Sequence, residues 1–393
     1  MDNDIVFAGD VPSQTMANRA RRGELRPIVR GIYTADLDTP LEDVVARNWH
    51  TIVGRAFPDA VITDRSVTTG GKVDGFLYLA HDARDRELDL PGLNVVARRG
   101  AGPLPGDVSL PGGLHLASTA RALVENTAAS RSRRGRPRRT LDSTELDNWI
   151  DRRCRLHGED RLQADRRQAE ALADALSANT GRIADLNRRI GMALGSRDGR
   201  SHSHLLSARA AGHPYDPDRI ERFDTLAAAL RSAAPQSRRG LDPASPAFAV
   251  QAFYEAYFSN YIEGTTFTVD EARRIIYEGR PIPNRAADSH DVLGTYQLVS
   301  DPDEMARRAA NPDEFLELLL SRHATLLGGR PDIAGAFKTK PNQAGQTLFV
   351  SPELVAGTLA EGWRQGGLES EWRGRLEDVL WALLNSSEFV FVP

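Results

Sequence analysis

Segments with strand-like composition are concentrated in the part of this 393-residue chain before Ser118, and most of the chain beyond that residue has helical spacing. The exception is FKTKPNQAGQTLFVSPE, residues 337–353, where turn residues between extended flanks predict a β-hairpin. Short runs rich in Val, Ile, Leu and Tyr are separated by glycine turns; they read AVITD, GFLYLA, LNVVARR and GLHLAS. After them, apolar residues recur at the spacing of an α-helix face. Because the two spacings belong to different elements, we expect an α+β module followed by helical regions.

The first module is predicted to begin with a helix and a hairpin. Ser13 is the predicted N-cap of a helix that stops at Gly23, and ELRPIVRGIYT after it has the composition of a short β wing. Residues 41–57, LEDVVARNWHTIVGRAF, carry one apolar stripe at helical spacing. Ser118 is expected to cap a further helix, STARALVENT.

Two polar segments divide the chain. Residues 130–139, SRSRRGRPRR, have too little apolar surface to bury themselves and are expected to form an exposed linker. Residues 232–246, SAAPQSRRGLDPASP, form the second linker. The predicted organisation is an α+β module over 1–128, an arginine-rich linker over 129–141, a helical connector over 142–240 and a mainly α domain over 245–393.

Composition and charge argue against several protein classes. Net charge is −4, so no global field favours nucleic acid or a membrane, and a basic binding site would have to be local. Cys154 is the only cysteine, which rules out an intrachain disulfide and favours a cytoplasmic location. The N-terminus lacks a signal-peptide pattern, no apolar run reaches the ~18 residues of a membrane helix, and no metal site is predicted.

The stretch FSNYIEGTTF, residues 258–267, contains the sequence pattern that points most specifically to a functional site. Ser259 and Glu263 are four residues apart, so they project from one face of a helix that Gly264 is expected to end. A carboxylate near a helix C-terminus is unfavourable, because the helix dipole is already negative there. Glu263 is therefore either a solvated residue that tolerates its place or a residue with a use beyond helix stability.

These residues carry a resemblance to a known family. SNYIEG resembles S/T-x-x-x-E-G/N, the inhibitory-helix motif of Fic (Fido-domain) proteins, and HDVLGTY at 290–296 resembles the stretch after that helix in one bacterial subgroup. AGAFK is similar to the family's PGxFR turn, with Ala334 and Lys338 in place of Pro and Arg. The resemblance covers 245–393 and implies a mainly α Fic-like helical domain with a β-hairpin flap.

The resemblance implies a protein adenylyltransferase that transfers AMP from ATP to a hydroxyl of a target protein, with Mg²⁺ as a second cofactor. Ser259, Glu263 and Gly264 would be the autoinhibitory residues, and the carboxylate would compete for the arginine that binds the γ-phosphate. The flap would add a strand to the target. The implied flap residues are Lys340, Pro341, Asn342, Gln343, Ala344, Gly345 and Thr347.

The family's catalytic loop, HPFxxGNGRxxR, occurs nowhere in the chain. LWALLNSSEFVFVP resembles the helix that leads into that loop, and it ends at Pro393. The general base, the phosphate loop and both motif arginines are missing, so no catalytic residue is assigned. We expect a C-terminally incomplete Fic domain that is inactive as given, and ATP and Mg²⁺ are cofactors of the intact family rather than expected ligands of this chain.

A second resemblance concerns the N-terminal module. RRGELRPIVRGIYTAD is similar to the wing of the winged-helix domain in AbiEi-type antitoxins, and STARALVENT resembles a later helix of those proteins. The implied α+β winged-helix-like module would bind DNA through Arg19, Arg21, Arg22, Arg26 and Arg30, unless these form an ordinary solvated face. Three functions stay open: an autoinhibited AMP transferase, a DNA-binding antitoxin-type regulator, and a truncated remnant without activity.

Overall fold

The computed structural model of the chain describes residues 4–83, 85–132, 135–197, 199, 201–232, 241–262, 264–344 and 347–365. The chain divides into two compact units, Met1–Gly212 and His213–Pro393. This boundary falls inside the segment predicted as a helical connector, residues 142–240. Helices and three sheets occur among the described residues, so the class is mixed α+β.

The first unit begins with three short strands and one helix. They are β1 (Ile5–Phe7), α1 (Ser13–Arg21), β2 (Arg26–Val29) and β3 (Ile32–Thr34). The strands form an antiparallel sheet in the order β1-β3-β2, which contains the expected wing hairpin together with a strand that the sequence does not predict. Pro12, rather than Ser13, occupies the N-cap position of α1. Gly23 follows the helix with a φ of +72°, as its predicted role as a stop requires.

A helix and a six-stranded mixed sheet follow. They are α2 (Leu41–Ala56), β4 (Val61–Ile62), β5 (Phe76–His81), β6 (Arg86–Leu90), β7 (Leu93–Arg99), β8 (Val108–Leu110) and β9 (Leu114–Leu116). The sheet order is β6-β7-β5-β4-β9-β8, with β5 parallel to β7 and β4 parallel to β9. The predicted helix 41–57 and the four predicted strands are all present. The apolar stripe of α2 packs on the sheet, where Val44, Ile52 and Val53 share a core with Leu79 and Val95.

The end of β4 leads into a buried ionic network. Asp64 is fully buried and accepts hydrogen bonds from Arg98 Nε at 2.9 Å and Arg139 Nη1 at 2.7 Å. Arg98 Nη2 also donates to Glu125 Oε1 at 2.8 Å, and burial together with the charge of Asp64 raises the pKa of Glu125. Arg139 belongs to the arginine-rich segment 130–139. The C-terminal end of that segment is therefore attached to the sheet, in contrast to the exposed linker that its composition predicts.

Five helices complete the first unit. They are α3 (Thr119–Asn126), α4 (Ser143–His157), α5 (Glu159–Leu172), α6 (Thr180–Ala193) and α7 (His204–Ala210). Ser118 caps α3 by accepting a hydrogen bond from the backbone N–H of Arg121, which confirms the predicted cap. Side chains from all five helices share one apolar core, with Leu123, Ile150 and Ile190 among its fully buried members. Helices α4–α7 thus belong to the same compact unit as the six-stranded sheet.

The described residues of the second unit form helices and one hairpin. Its helices are α8 (Pro217–Ser232), α9 (Pro246–Ile262), α10 (Val269–Glu278), α11 (Ala286–Val299), α12 (Pro302–Ala306), α13 (Pro312–Leu326) and α14 (Val355–Gln365), and its strands are β10 (Gln343–Ala344) and β11 (Thr347–Leu348). α9 packs on α11, α11 on α13, α13 on α14, and α14 on α8. The predicted helix LWALLNSSEFVFVP and the linker residues 233–240 lie outside the described residues.

Among the described residues, no helix is long and apolar enough to cross a membrane. α9 has a single charged residue, Glu255, but its 17 residues are fewer than the ~20 that span a bilayer core.

Candidate functional site

The helix that carries SNYIEG ends where the sequence predicts. α9 runs to Ile262, and Gly264 has a φ of +93°, in the left-handed region that terminates helices. The N–H of Gly264 donates to the carbonyl of Tyr261 at 3.1 Å, which closes the last turn. Ser259 is exposed near this end. Glu263 lies outside the described residues, so the position of its carboxylate stays a prediction.

Asn260, inside the motif, attaches α9 to α11. Its Nδ2 donates to Thr295 Oγ1 at 3.0 Å and to the carbonyl of Ala256 at 2.9 Å. Both side chains are buried, and Thr295 Oγ1 in turn donates to the carbonyl of Asp291 at 2.8 Å. A buried polar group left without a partner costs about 1–3 kcal/mol, so this contact fixes the rotation of α9 about its own axis. It brings SNYIEG and HDVLGTY together, although they are distant in sequence.

The rest of HDVLGTY supplies a charge cluster and a close helix contact. Arg330 donates from Nε and Nη2 to Asp291 Oδ2, at 3.1 and 2.9 Å, and from Nη2 to Asp288 Oδ1 at 2.8 Å. Burial raises the pKa of Asp291, and the Arg330 guanidinium opposes this effect.

A Cβ atom at Gly294 would lie 2.4 Å from the carbonyl oxygen of Thr325 in α13, so glycine permits the observed approach of α11 and α13.

The AGAFK turn is held by a buried histidine. The N–H of Gly335 donates to His323 Nδ1 at 3.0 Å, and Gly335 has a φ of +69°. Because Nδ1 accepts a hydrogen bond, the imidazole is neutral, with its proton on Nε2. Burial lowers the pKa of His323, which favours the same neutral form.

The predicted flap is an antiparallel hairpin. Gln343 pairs with Leu348, and Ala344 pairs with Thr347. Within the described residues, β10 and β11 pair only with each other, so each strand keeps an unpaired edge. Lys340, Pro341 and Asn342 lead into β10, and Gly345 lies outside the described residues. Strand addition requires an open strand edge of this kind, and binding of a target segment there stays a prediction.

Two cationic side chains hold the base of the hairpin. Lys338 Nζ donates to Asn342 Oδ1 at 2.5 Å and lies 5.7 Å from the centroid of the Phe349 ring. Arg219 Nη2, from α8, donates to the carbonyl of Leu348 at 2.8 Å. No sequence pattern marks Arg219 as a partner of the hairpin, because the hydrogen bond joins residues 129 positions apart.

The neutral state of His323 makes the stability of the second unit pH-dependent. In the unfolded chain its pKa returns to the ordinary value near 6.5, so the unfolded state binds more protons below that pH. We expect the free energy of unfolding to fall as the pH drops below about 7, by at most about 1.4 kcal/mol per pH unit. Urea unfolding at pH 7.5 and 5.5 measures this loss.

The His323→Gln variant should show a smaller loss of stability than the native chain over the same pH interval. The matched control is His213→Gln, at an exposed position of the same unit, which should keep the native dependence. Equal losses in the native chain and in His323→Gln would contradict the role given to His323.

The guanidinium of Arg26, one of the five arginines predicted to contact DNA, makes hydrogen bonds within the first unit. It donates to the backbone carbonyls of Leu37 and Thr39, in the segment that follows β3. These hydrogen bonds tie β2 to the chain entering α2. Arg26 is therefore not presented as a free cation.

Of the other four predicted DNA contacts, Arg19, Arg21 and Arg22 lie on or just after α1, and Arg30 lies in the turn between β2 and β3. Arg19 Nε is 3.5 Å and Arg22 Nη1 is 3.8 Å from the carboxylate of Glu24, while Arg21 and Arg30 are exposed. Within residues 4–34 one helix precedes the hairpin, whereas a helix-turn-helix reader uses two. DNA binding by these arginines stays a prediction.

ATP and Mg²⁺, which the Fic resemblance implies for the intact family, stay expectations for this chain. Among the residues that the structure describes, no group of three or more His, Cys, Asp and Glu side chains is placed to hold a metal ion. The loop that would hold the ATP phosphates is absent from the sequence. We therefore derive no chemical step through ATP or Mg²⁺.

Comparisons of the chain with protein-family models, with curated proteins and with solved structures found no match. A functional assignment therefore depends on the motifs of the sequence and on the contacts among the described residues.

Proposed function

We propose that the second unit is the regulatory and target-docking portion of a Fic-type protein adenylyltransferase, and that this chain transfers no AMP by itself. The observation that supports the proposal most directly is the buried hydrogen bond between Asn260 and Thr295. It joins the two motifs on which the resemblance depends, and it gives each of them a structural reason for a polar side chain at a buried position.

The orientation of α9 is compatible with an inhibitory role. Asn260 faces α11, whereas the preceding Ser259 is exposed. Glu263 follows Ser259 by four residues, which is the spacing of neighbours on one helix face. In the proposed function its carboxylate binds an arginine that would otherwise hold the γ-phosphate of ATP. In Fic proteins that arginine belongs to the HPFxxGNGRxxR loop, a motif that does not occur in the printed sequence.

The hairpin supports the target-docking part of the proposal. A target segment in extended conformation would pair with an open edge of β10 or β11 and so be held by backbone hydrogen bonds. The hydrogen bonds from Lys338 to Asn342 and from Arg219 to Leu348 hold the base of the hairpin in one position. A hairpin fixed in advance loses less conformational freedom when a target binds.

Transfer of AMP is the activity that tests the proposal. Purified 1–393, incubated with ATP labelled on its α-phosphate and with a cell lysate, should label no protein above a control without the chain, because no general base or phosphate loop is present. Labelling by the unaltered chain would contradict the statement that it is inactive.

A fusion tests the inhibitory part. HPFxxGNGRxxR and its following helix, taken from an active Fic enzyme, would be joined after Pro393, with Glu263 or with Glu263→Gln. The Gln variant should transfer about 10–100-fold more AMP, since a charge-assisted hydrogen bond contributes about 1.5–3 kcal/mol. The control is Glu278→Gln, which changes an exposed carboxylate of α10 and should leave transfer unchanged. Equal transfer with both residues at position 263 would contradict an inhibitory Glu263.

A further inference from the structure

Helix α9 has two apolar sides, and the described residues bury one of them. Ala252, Phe253 and Ala256 are buried against the neighbouring helices. The opposite side carries large apolar side chains that are 39–80 % exposed, which we call the outer face of α9: Val250, Tyr254, Phe258, Tyr261 and Ile262. A helix that is apolar all round is normally covered all round, so we expect this face to have an occupant.

The outer face is large enough to form most of a stable interface. Tyr254 and Phe258 stack with their ring centroids 5.8 Å apart. Tyr277 of α10, which is more than half exposed, stacks on Phe253 at 5.6 Å and extends the apolar surface. Because a large aromatic side chain presents about 150–250 Å², the outer face and Tyr277 together expose roughly 600 Å². An interface of standard size buries about 800 Å² on each partner, and a polar rim supplies the remainder.

We propose that the outer face of α9 is the interface of a symmetric dimer, in which α9 of a second copy of this chain packs on it in the antiparallel direction. The order of the exposed residues supports this occupant, because it is the same from either end. Val250 and Ile262 lie at equal distances from Ala256 along the helix, and so do Tyr254 and Phe258.

A two-fold axis at the level of Ala256 therefore places like side chains opposite each other. Val250 lies opposite Ile262 of the second copy, so aliphatic groups meet. Tyr254 lies opposite Phe258 of the second copy, so aromatic rings meet. An interface formed by one surface patch on both subunits has to be self-complementary in this way, whereas a partner of another kind places no such condition on the patch.

The spacing of these residues also suits the packing of two helices. Side chains at every fourth position form one ridge along α9: Val250, Tyr254, Phe258 and Ile262. Ridges of this kind interdigitate in the commonest class of helix pairs, with axes about 8–10 Å apart that cross at about −50°. In the antiparallel direction, the positive end of each helix dipole also lies on the side of the negative end of the other, which is favourable.

Charges beside the outer face do not oppose a second copy. Glu255 is the single charged residue of α9, and Arg273 lies one turn before Tyr277 on α10. Both side chains are exposed and their charges are opposite, so the surface has no net charge that repels its own copy. A strongly acidic or basic partner would find no complementary field here.

The oligomeric state of the full chain tests the proposal. Sedimentation velocity over a range of protein concentrations should show a reversible monomer–dimer equilibrium. Phe258→Glu should raise the dissociation constant of the dimer by about tenfold or more, because it places two charges near the centre of the interface. Leu156→Glu makes the same kind of change at a similarly exposed apolar residue of α4 and should leave the dissociation constant unchanged. A chain that stays monomeric, or a dimer that Phe258→Glu leaves intact, would overturn the proposal.

A photo-crosslinker in the full chain identifies the contact surface without a charged substitution. The variant Tyr254→p-benzoylphenylalanine, mixed from isotope-labelled and unlabelled copies, is irradiated and digested with trypsin. Mass spectrometry should show covalent dimers that join residues 240–273 of a labelled copy to the same residues of an unlabelled copy. The same crosslinker at Leu156 should not give this product. Crosslinks from position 254 to other peptides, or within one copy alone, would assign the face to another occupant and contradict the dimer. Both experiments measure association alone, so their results are independent of AMP transfer.

Discussion

Replacing Arg121 with methionine should lower the free energy of unfolding of the first unit by about 3–5 kcal/mol. Arg121 is fully buried, and its Nη1 donates to Asp107 Oδ2 at 2.7 Å and to the carbonyl of Gly102 at 2.8 Å. Its Nη2 donates to the carbonyl of Ala101 at 2.7 Å. Methionine fills much of the volume but leaves the buried carboxylate of Asp107 and two carbonyls without these donors. Equilibrium unfolding in urea, followed by circular dichroism, measures the loss.

Two variants separate the buried charge from loss of packing. The double variant Arg121→Met with Asp107→Asn should recover part of the stability, because the uncompensated charge is then gone. Arg167→Met, at an exposed position of α5, should change the free energy of unfolding by less than about 0.5 kcal/mol. A loss below about 1 kcal/mol for Arg121→Met would show that the buried pair is not formed as described.

Gly294→Ala should destabilise the second unit by about 1–3 kcal/mol. The added Cβ would stand 2.4 Å from the carbonyl oxygen of Thr325 and 2.9 Å from that of Leu326. Both contacts are to backbone atoms, and no side-chain rotation can relieve them. α11 therefore has to move away from α13. Gly294 adjoins Thr295, so this movement also strains the hydrogen bond to Asn260. Urea unfolding and thermal melting report the loss.

Gly181→Ala is the matched control, since Gly181 lies in α6 and a Cβ there meets only Asn179 Oδ1, at 3.4 Å. An open helical glycine replaced by alanine gains up to about 1 kcal/mol from helix propensity. Gly294→Ala and Gly181→Ala should therefore change stability in opposite directions. A stabilised Gly294→Ala variant would contradict the close approach of α11 and α13.

Elements with a strong local pattern are the ones that the sequence predicts well. The helix 41–57, the cap at Ser118, the stop at Gly264 and the hairpin around residues 343–348 depend on periodicity, capping and turn residues within a few positions. The strands β1, β6 and β8 lack a counterpart in the prediction. β6, RELDL, lies at an edge of the six-stranded sheet, and most of its residues are polar. Because apolar residues alternate least clearly in an edge strand, the sequence pattern did not predict β6.

The two predicted linkers show the limit of composition as a guide. Low apolar content marks 130–139 as a linker, yet Arg139 and the carbonyl of Pro137 contact the sheet, through Asp64 and through the hydroxyl of Tyr78. α8 precedes the second predicted linker, yet it packs on α14. Composition reports how much surface a segment tends to bury, but it does not report which polar groups find partners far away in the chain.

Local sequence was enough to predict the α+β order of the chain, the helix that carries SNYIEG and the hairpin, because each depends on side chains that are close together along the chain. The packed structure was needed to show that Asn260 bonds Thr295, that Arg219 holds Leu348, and that Arg26 serves the fold. Such contacts join distant residues once helices and strands pack, and a polar residue looks the same in sequence whether it faces solvent or a buried partner.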